Sequence, residues 1–196
     1  MYIGNGNLSM KNVFTWNLPS KLTCPNSTEL CRKSCYAVKA ERPYRPNVLP
    51  SRMDNWNCSM KESFPEDMKA IIKGKTLTSK SFTGYFRIHE SGDFYNQKYL
   101  DDWKLICSYF KRIKFLAYTK SFDLDFSNRP KNMEIVVSVW EDTNLSKVPK
   151  GFPISYSGMK GNKAIKCEGG REKCNKCGFK CWHLSKLNKN VWSLIH

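Results

Sequence analysis

The sequence predicts an α/β fold, in which a partial parallel barrel or an open parallel sheet carries crossover helices. Two observations support this prediction. Apolar runs of five or six residues, typical of buried strands, recur through the middle of the chain. A segment with the helical spacing of apolar residues separates two of these runs, and connections of that length join parallel strands. A chain of 196 residues corresponds to one domain with a hydrophobic core.

The predicted helices and strands alternate along the middle of the chain. One helix begins near Val48, and another begins at Phe64-Pro65, followed by acidic residues that suit a first helical turn. A third helix spans residues 95–110, because its apolar side chains recur every three or four positions. The predicted strands span residues 84–89, 113–118, 134–139 and 152–156.

Polar residues follow each predicted strand at its carboxyl end. In parallel α/β folds these ends share one edge of the sheet, and ligands bind there. A single polar residue at a strand end is ordinary, since loops are polar, but recurrence across several strands favours a ligand site. The candidate catalytic residues at this edge, called the rim below, are His89, Glu90, Ser91 and Asp93, with Ser121, Ser138, Glu141 and Ser157 as further members.

The composition changes after residue 160, where lysine, glycine and cysteine become frequent and apolar residues become few. Such a segment cannot bury enough apolar surface to fold alone, so a bound metal would have to organise it. We therefore predict two parts. Residues 1–159 form an α/β core with an N-terminal three-cysteine loop, and residues 160–196 form a Cys/Lys-rich metal-binding appendage packed on that core.

The strongest chemical signal is a group of four cysteines with the spacing Cys-x6-Cys-x2-Cys-x3-Cys. These tail cysteines are Cys167, Cys174, Cys177 and Cys181. Glycines between them permit the tight turns that bring thiolates together, and flanking lysines offset thiolate charge. Four-cysteine zinc sites usually combine two Cys-x2-Cys pairs, whereas this segment has one. The spacing predicts an iron–sulfur cluster, of the 4Fe-4S type, with zinc as the alternative.

A second group, Cys24, Cys31 and Cys35, repeats the outer spacing of the tail motif without a fourth member. Three cysteines hold a cluster with one iron left open, or recruit a further ligand, for which Cys58 is the candidate. The alternative is that they are ordinary thiols, but three cysteines within twelve polar residues argue against it. Cys107 lies on the apolar side of the predicted 95–110 helix and is predicted to be a core residue.

The charge balance points to a possible class of partner. The chain carries 33 basic and 17 acidic residues, a net charge of +16. That charge attracts DNA or RNA, although a lysine-rich composition serving solubility is the alternative. No apolar run is long enough to span a membrane and no signal peptide is recognised, which predicts a cytoplasmic protein without a membrane partner. In that reducing compartment, nine cysteines indicate metal or redox chemistry rather than disulfides.

Several catalytic motifs are absent from the sequence. There is no His-Glu-x-x-His, no Gly-x-Ser-x-Gly, no phosphate-binding loop and no dinucleotide fingerprint. A catalytic zinc of the metalloprotease type, a hydrolase triad and a nucleotide-driven motor are therefore not predicted.

Five stretches of the sequence form a specific combination. They are Thr23-Cys24-Pro25 and residues 31–37, 87–94, 114–121 and 174–182. Together they span most of the chain, residues 10–185, and resemble the phage-borne gene product 88 family. The resemblance implies a phage or mobile-element origin and a shared set of cysteines, and it implies no particular reaction.

A weaker likeness is to radical-SAM enzymes, which hold a four-iron cluster through Cys-x3-Cys-x2-Cys after the first strand of a partial barrel. Cys31-x3-Cys35 begins this pattern, but Val38 stands where the third cysteine belongs, and Cys24 would have to replace it. The resemblance implies a cluster facing the rim and S-adenosylmethionine as a cofactor. The sequence departs from the radical-SAM motif at Val38, which replaces the third cysteine.

Two main functional hypotheses follow. The first is an iron–sulfur protein with a radical-SAM-like fold and an unknown reaction. The second is a nucleic-acid-binding regulatory or accessory phage protein whose metal, iron–sulfur or zinc, only stabilises the fold. In that case Tyr85, Trp140, Tyr156 and Trp182 are the aromatic residues that can stack on bases. A zinc-ribbon-like interaction module is a third possibility.

Overall fold

An eight-stranded sheet forms the centre of the fold. The computed structural model describes residues 1–42 and 45–194. The strands are β1 (Ile3–Gly4), β2 (Phe14–Trp16), β3 (Tyr85–Ile88), β4 (Lys114–Thr119), β5 (Met133–Val139), β6 (Ile154–Ser157), β7 (Ala164–Lys166) and β8 (Asn190–Ser193). Their order in the sheet is β1-β2-β3-β4-β5-β6-β8-β7. Neighbouring strands are parallel except for β1 and β2.

The α-helices lie in the connections between β2 and β3, between β3 and β4, and between β7 and β8. In the described residues the α-helices are α1 (Glu29–Lys33), α2 (Tyr36–Ala40), α3 (Val48–Ser59), α4 (Phe64–Thr78), α5 (Gln97–Tyr109), α6 (Lys173–Lys176) and α7 (Leu184–Leu187). Two short 3-10 helices span Leu145–Lys147 and Lys180–His183. Within the described ranges, none of the helices combines the length and apolar character needed to cross a bilayer.

The architecture confirms the predicted α/β class with a mostly parallel sheet. The four predicted strands correspond to β3, β4, β5 and β6, and the predicted 95–110 helix corresponds to α5. Strands β1, β2, β7 and β8 were not predicted. These strands have two to four residues each, and runs that short carry almost no periodic signal.

One face of the sheet packs against α4 and α5. Alternate residues of the strands point to this face and are fully buried, including Phe86, Ile88 and Phe115. They pack with Ile72 of α4 and Trp103 of α5 in the larger apolar cluster of the protein. This cluster joins β2, β3, β4 and β5 to the two helices and is the larger source of hydrophobic stabilisation.

The opposite face of the sheet is covered by the C-terminal segment. Leu116 and Val136 point to this face and are buried. They pack against a second apolar cluster that includes Phe179, Trp182 and Leu184. The two faces therefore have different partners, helices on one side and the cysteine-bearing segment on the other.

The C-terminal segment is itself part of the sheet. Strand β8 lies between β6 and β7, so this segment supplies two of the eight strands. The sequence predicted residues 160–196 as a metal-organised appendage on the core. The structure shows packing on the core and does not show metal organisation. Backbone pairing of β8 with β6 and β7 supplies order that the apolar content of the segment alone does not.

Candidate functional site

The four tail cysteines are brought together against the second face of the sheet. Cys167 directly follows β7, Cys174 lies in α6, and Cys181 lies in the 3-10 helix Lys180–His183. These three thiols pack against the second apolar cluster, whereas Cys177 is exposed. The four are close enough for the charge of each to act on the pKa of Cys174. The predicted set therefore forms one group in space.

A reversal of the backbone places Cys177 and Cys181 in the same group. Gly178 has φ +68° and Phe179 has φ +53°, so two consecutive residues take the left-handed conformation. Glycine adopts this conformation without cost, whereas Phe179 needs compensation from its packing. The Phe179 N–H donates to the Cys174 carbonyl at 3.1 Å and closes the turn.

Aromatic packing holds the cysteine segment to the sheet. The Phe179 ring stacks on Tyr85 of β3 with centroids 4.4 Å apart, and the Trp182 ring meets Tyr85 at 5.4 Å. The Trp182 indole N–H donates to the Phe86 carbonyl at 3.1 Å. The position of the tail cysteines therefore depends on ordinary apolar burial and one buried hydrogen bond.

Arg87 and Tyr118 lie on the sheet beside the tail cysteines. The Arg87 guanidinium sits 3.9 Å from the centroid of the Tyr118 ring, and its Nε donates to the His89 carbonyl at 3.0 Å. The side chains of Tyr118 and Cys181 hydrogen-bond to each other. The Arg87 cation and the Tyr118 phenol thus lie beside the tail cysteines, where negative charge would develop if the thiols ionised.

The surroundings disfavour free thiolates at this site. Burial raises the pKa of Cys174 to about 12, the other three tail cysteines add to the shift, and the Arg87 charge opposes it. Burial also raises the pKa of Cys181, against the Tyr118 hydrogen bond and Arg87. At neutral pH these two thiols are protonated unless a cation compensates their charge.

The tail cysteines are not arranged as a preformed metal site. Within the described residues, no three His, Cys, Asp or Glu side chains are arranged to hold a metal ion. A tetrahedral zinc site would place its thiolate sulfurs about 3.8 Å apart, given zinc–sulfur bonds of about 2.3 Å. The tail cysteines lie together in the structure, and a bound metal stays a prediction.

The N-terminal cysteines occupy the loop between β2 and α3. Cys31 lies in α1, whose first turn is capped by Thr28. Cys35 immediately precedes α2. Burial raises the pKa of Cys24 to about 12, Asp93 and Cys31 add to the shift, and Lys120 opposes it. Cys24 and Cys31 are thus neighbours in space, near the carboxyl ends of β3 and β4.

A buried ion pair closes this three-cysteine loop. Glu41 accepts a hydrogen bond from the backbone N–H of Ser20 at 2.8 Å and forms a salt bridge with Arg52 of α3 at 2.6 Å. The side chains of Glu41 and Arg52 are each only 11% exposed. Arg52 also donates to the Ala37 carbonyl at 3.2 Å. The beginning and end of the loop are therefore fixed to the same helix.

The two remaining cysteines, Cys58 and Cys107, lie in α3 and α5. Cys107 of α5 is fully buried in the larger apolar cluster, which confirms its prediction as a core residue. Cys58 lies in α3 and is partly buried. All nine cysteines are free thiols.

The four rim candidates are mostly engaged in holding the strand ends. Asp93 is buried and accepts from the backbone N–H groups of Lys120 and Phe94, each at 2.8 Å. Ser91 is buried and its hydroxyl has no partner among the described residues. Glu90 is partly buried and accepts from Asn17 at 3.4 Å.

His89 lies on the helix side of the sheet. Its φ of +63° turns the side chain into the aromatic core, where its Nε2 lies 2.9 Å from the Tyr99 hydroxyl. Burial lowers the pKa of His89 to about 3, and the Arg87 charge lowers it further, so the imidazole is neutral at pH 7. Its Nδ1 has no partner among the described residues.

Arg87, Tyr118 and Lys120 were not predicted to be site residues. A signal existed for the first, because Arg87 is the only charged residue within the β3 strand. A charge inside a strand of a two-sided parallel sheet needs a partner and so marks a functional position. Tyr118 and Lys120 carried no comparable signal.

Comparison with known proteins relates the chain to phage proteins. The sequence profile of the gene product 88 family matches residues 3–165. This range contains Cys24, Cys31 and Cys35 and ends before Cys167. The gene 88 protein of Mycobacterium phage L5 is 24% identical, with 90% of this chain and 85% of the relative covered. The gene 88 protein of Mycobacterium phage D29 is 25% identical, with coverage of 78% and 74%.

No solved structure matches the chain. The family profile covers well over half of the sequence, and the same family is the one that the cysteine and rim motifs resemble. The chain therefore belongs to the gene product 88 family.

Proposed function

We propose that this protein binds an iron–sulfur cluster through Cys167, Cys174, Cys177 and Cys181. The observation that carries the proposal is the convergence of these four thiols on one face of the sheet. The tail segment has a single Cys-x2-Cys pair with one cysteine on either side of it, whereas four-cysteine zinc sites usually combine two such pairs, so the spacing favours a cluster. The cluster type that we expect is 4Fe-4S.

The charges around the thiols support the same proposal. Free thiolates are unfavourable here because the site is partly buried and the thiols repel one another once ionised. A cluster would bring the iron charge that compensates them. Arg87 and the Tyr118 hydroxyl would stabilise the ligand sulfurs from the sheet side, as hydrogen bonds and cations do around such clusters.

We extend the proposal to Cys24, Cys31 and Cys35 as a second, three-ligand site. Its position after β2, at the carboxyl edge of the sheet, resembles the placement of the cluster in radical-SAM enzymes. Proximity of Cys24 to Cys31 supports a shared site, and Val38 remains the departure from the radical-SAM motif. If the resemblance holds, S-adenosylmethionine would bind at the open iron.

The decisive test is metal and sulfide analysis of protein purified without oxygen. About four irons and four acid-labile sulfides per four-cysteine site are expected, with visible absorption that bleaches on addition of dithionite. Stoichiometric zinc without sulfide would contradict the proposal and leave the cysteines as a structural zinc site. Free cysteine thiols fit a reducing cytoplasm, which is the location that we propose.

Arg87 should set the redox potential of the tail site. One-electron reduction by dithionite adds a negative charge to the cluster, and a nearby cation favours the reduced form. Arg87→Met should therefore lower the midpoint potential, and Arg87→Lys should keep it close to that of the wild type. Arg112→Met removes an exposed arginine and is the matched control. Equal potentials in Arg87→Met and Arg112→Met, with iron content intact, would refute this role.

A second candidate function is nucleic-acid binding. The observation that favours it is the net charge of +16, together with exposed lysines on the cysteine segment: Lys173, Lys176, Lys180, Lys186 and Lys189. Such a surface would contact phosphates, and its binding would weaken steeply with salt. Of the predicted stacking residues, Tyr85 and Trp182 pack against Phe179 inside the protein, so their rings are not available to stack on bases. Gel-shift assays test this candidate: binding to DNA or RNA that weakens at high salt is expected, and no binding at low salt would exclude it.

A further inference from the structure

A cavity lined mainly by residues with polar side chains opens at the carboxyl edge of the sheet, beside the three-cysteine loop. It has a volume of about 670 Å³. Residues 26–28 of the loop form one wall, and the segments that follow β4 and β5 form the other. Ligands of α/β proteins bind at this edge, and cavities of about 300–1,000 Å³ accommodate small molecules.

The carboxylates of the cavity are already engaged by the protein. Asp123 accepts a hydrogen bond from the Asn26 side chain at 2.7 Å. Asp142 accepts from the Leu30 backbone N–H at 2.8 Å, at the first turn of α1. These two contacts tie the three-cysteine loop to the segments after β4 and β5. Each contact uses one carboxylate oxygen, and within the described residues neither aspartate forms a salt bridge with Lys120 or Lys147.

The lysines of the cavity, in contrast, have no direct counter-ion. Within residues 1–42 and 45–194, no salt bridge involves Lys120 or Lys147. The Lys120 ammonium lies 5.7 Å from the centroid of the Trp140 ring, which restricts where it can move. The Lys120 charge acts on the buried Asp93, which accepts a hydrogen bond from the Lys120 backbone N–H. Lys120 and Lys147 both line the cavity.

We infer that this cavity binds a small molecule bearing a carboxylate or phosphate group. Lys120 and Lys147 would hold the anionic group, and Phe122 supplies an apolar surface for the rest of the molecule. The charge of Lys120 also acts on Cys24, so the bound molecule would lie next to the three-cysteine loop. The inference does not depend on whether the cysteines hold a cluster.

Titration calorimetry on the full chain tests the inference with two probes, pyrophosphate for phosphates and citrate for carboxylates. Saturable binding of one probe is expected, and the stronger probe identifies the anionic group. Lys147→Met should weaken that binding by about tenfold or more, since a charged hydrogen bond contributes roughly 1.5–3 kcal/mol. Lys147 is exposed, so this variant should fold normally. Lys120→Met should have a similar effect.

Lys150→Met is the matched control, because Lys150 is exposed, lies three residues from Lys147 and does not line the cavity. Its affinity should equal that of the wild type. The inference would be overturned if neither probe binds, or if Lys147→Met and Lys150→Met weaken binding equally. Equal weakening would mean that the anions respond only to the overall positive charge. Iron analysis of the same samples reports separately on the cluster.

Discussion

Replacing Cys174 and Cys181 together by serine should abolish iron binding at the tail site. These are the two tail cysteines whose thiols have raised pKa values from burial, so they contribute the most enclosed ligands. Serine is nearly the same size and removes only the sulfur chemistry, so Phe179 and Trp182 should keep the segment on the sheet. We expect a loss of about four irons and four sulfides per chain.

The control for this experiment is Cys107→Ala, which removes a buried thiol of α5 that lies in the helix-side cluster. It should cost some stability through the small cavity that it leaves, and iron content should not change. Hydrogen exchange of residues 163–190 gives a second readout, since loss of the cluster should speed exchange there and not in α5. Unchanged iron in the double variant would show that the tail cysteines are not ligands.

Removing one partner of the Glu41–Arg52 pair should destabilise the protein strongly. Both side chains are 11% exposed, and Glu41 also accepts from the Ser20 backbone. Arg52→Ala leaves a carboxylate in a poorly solvated position, which typically costs about 3–5 kcal/mol. Equilibrium urea unfolding of the wild type and the variant measures the difference. The lost contact would also release the three-cysteine loop, so Cys24 should react faster with alkylating reagents.

The pair Glu29–Lys33 is the matched control for that measurement. It joins neighbouring turns of α1 at 2.6 Å, but its side chains are 76% and 68% exposed. Exposed pairs of this kind contribute about 0.3–0.5 kcal/mol, so Lys33→Ala should change stability little. If Arg52→Ala costs no more than Lys33→Ala, the loop is held by other contacts, and the buried pair is not its anchor.

The sequence predicted the middle of the sheet better than its edges. Strands β3 to β6 carry apolar runs long enough to recognise, and parallel pairing followed from the lengths of their connections. Strand β2 was missed although all three of its residues are buried, because three residues have no usable period. Strands β7 and β8 were missed because their composition resembles that of a loop.

The grouping of the tail cysteines was predictable from the sequence, and its surroundings were not. The spacing of the cysteines is visible in the sequence, so the tail group could be proposed from it. The structure brings these cysteines together against one face of the sheet. The rim was less predictable. Alternation along β3 would place residue 89 on the same face as Tyr85 and Arg87, but the left-handed φ of His89 directs it to Tyr99 on the other face. A reversal of that kind has no signature in residue types, because histidine adopts it only occasionally.

The position of β8 between β6 and β7 has a consequence for biosynthesis. Cys167 donates its backbone N–H to the Trp192 carbonyl at 2.8 Å, so the first tail cysteine is fixed by a residue made 25 positions later. A ribosome must therefore release residues 190–193 before the edge of the sheet can close. Earlier strands can fold as they emerge, but the tail cysteines reach their final positions only after residues 190–193 have joined the sheet. The proposed cluster would therefore be inserted after β8 has paired.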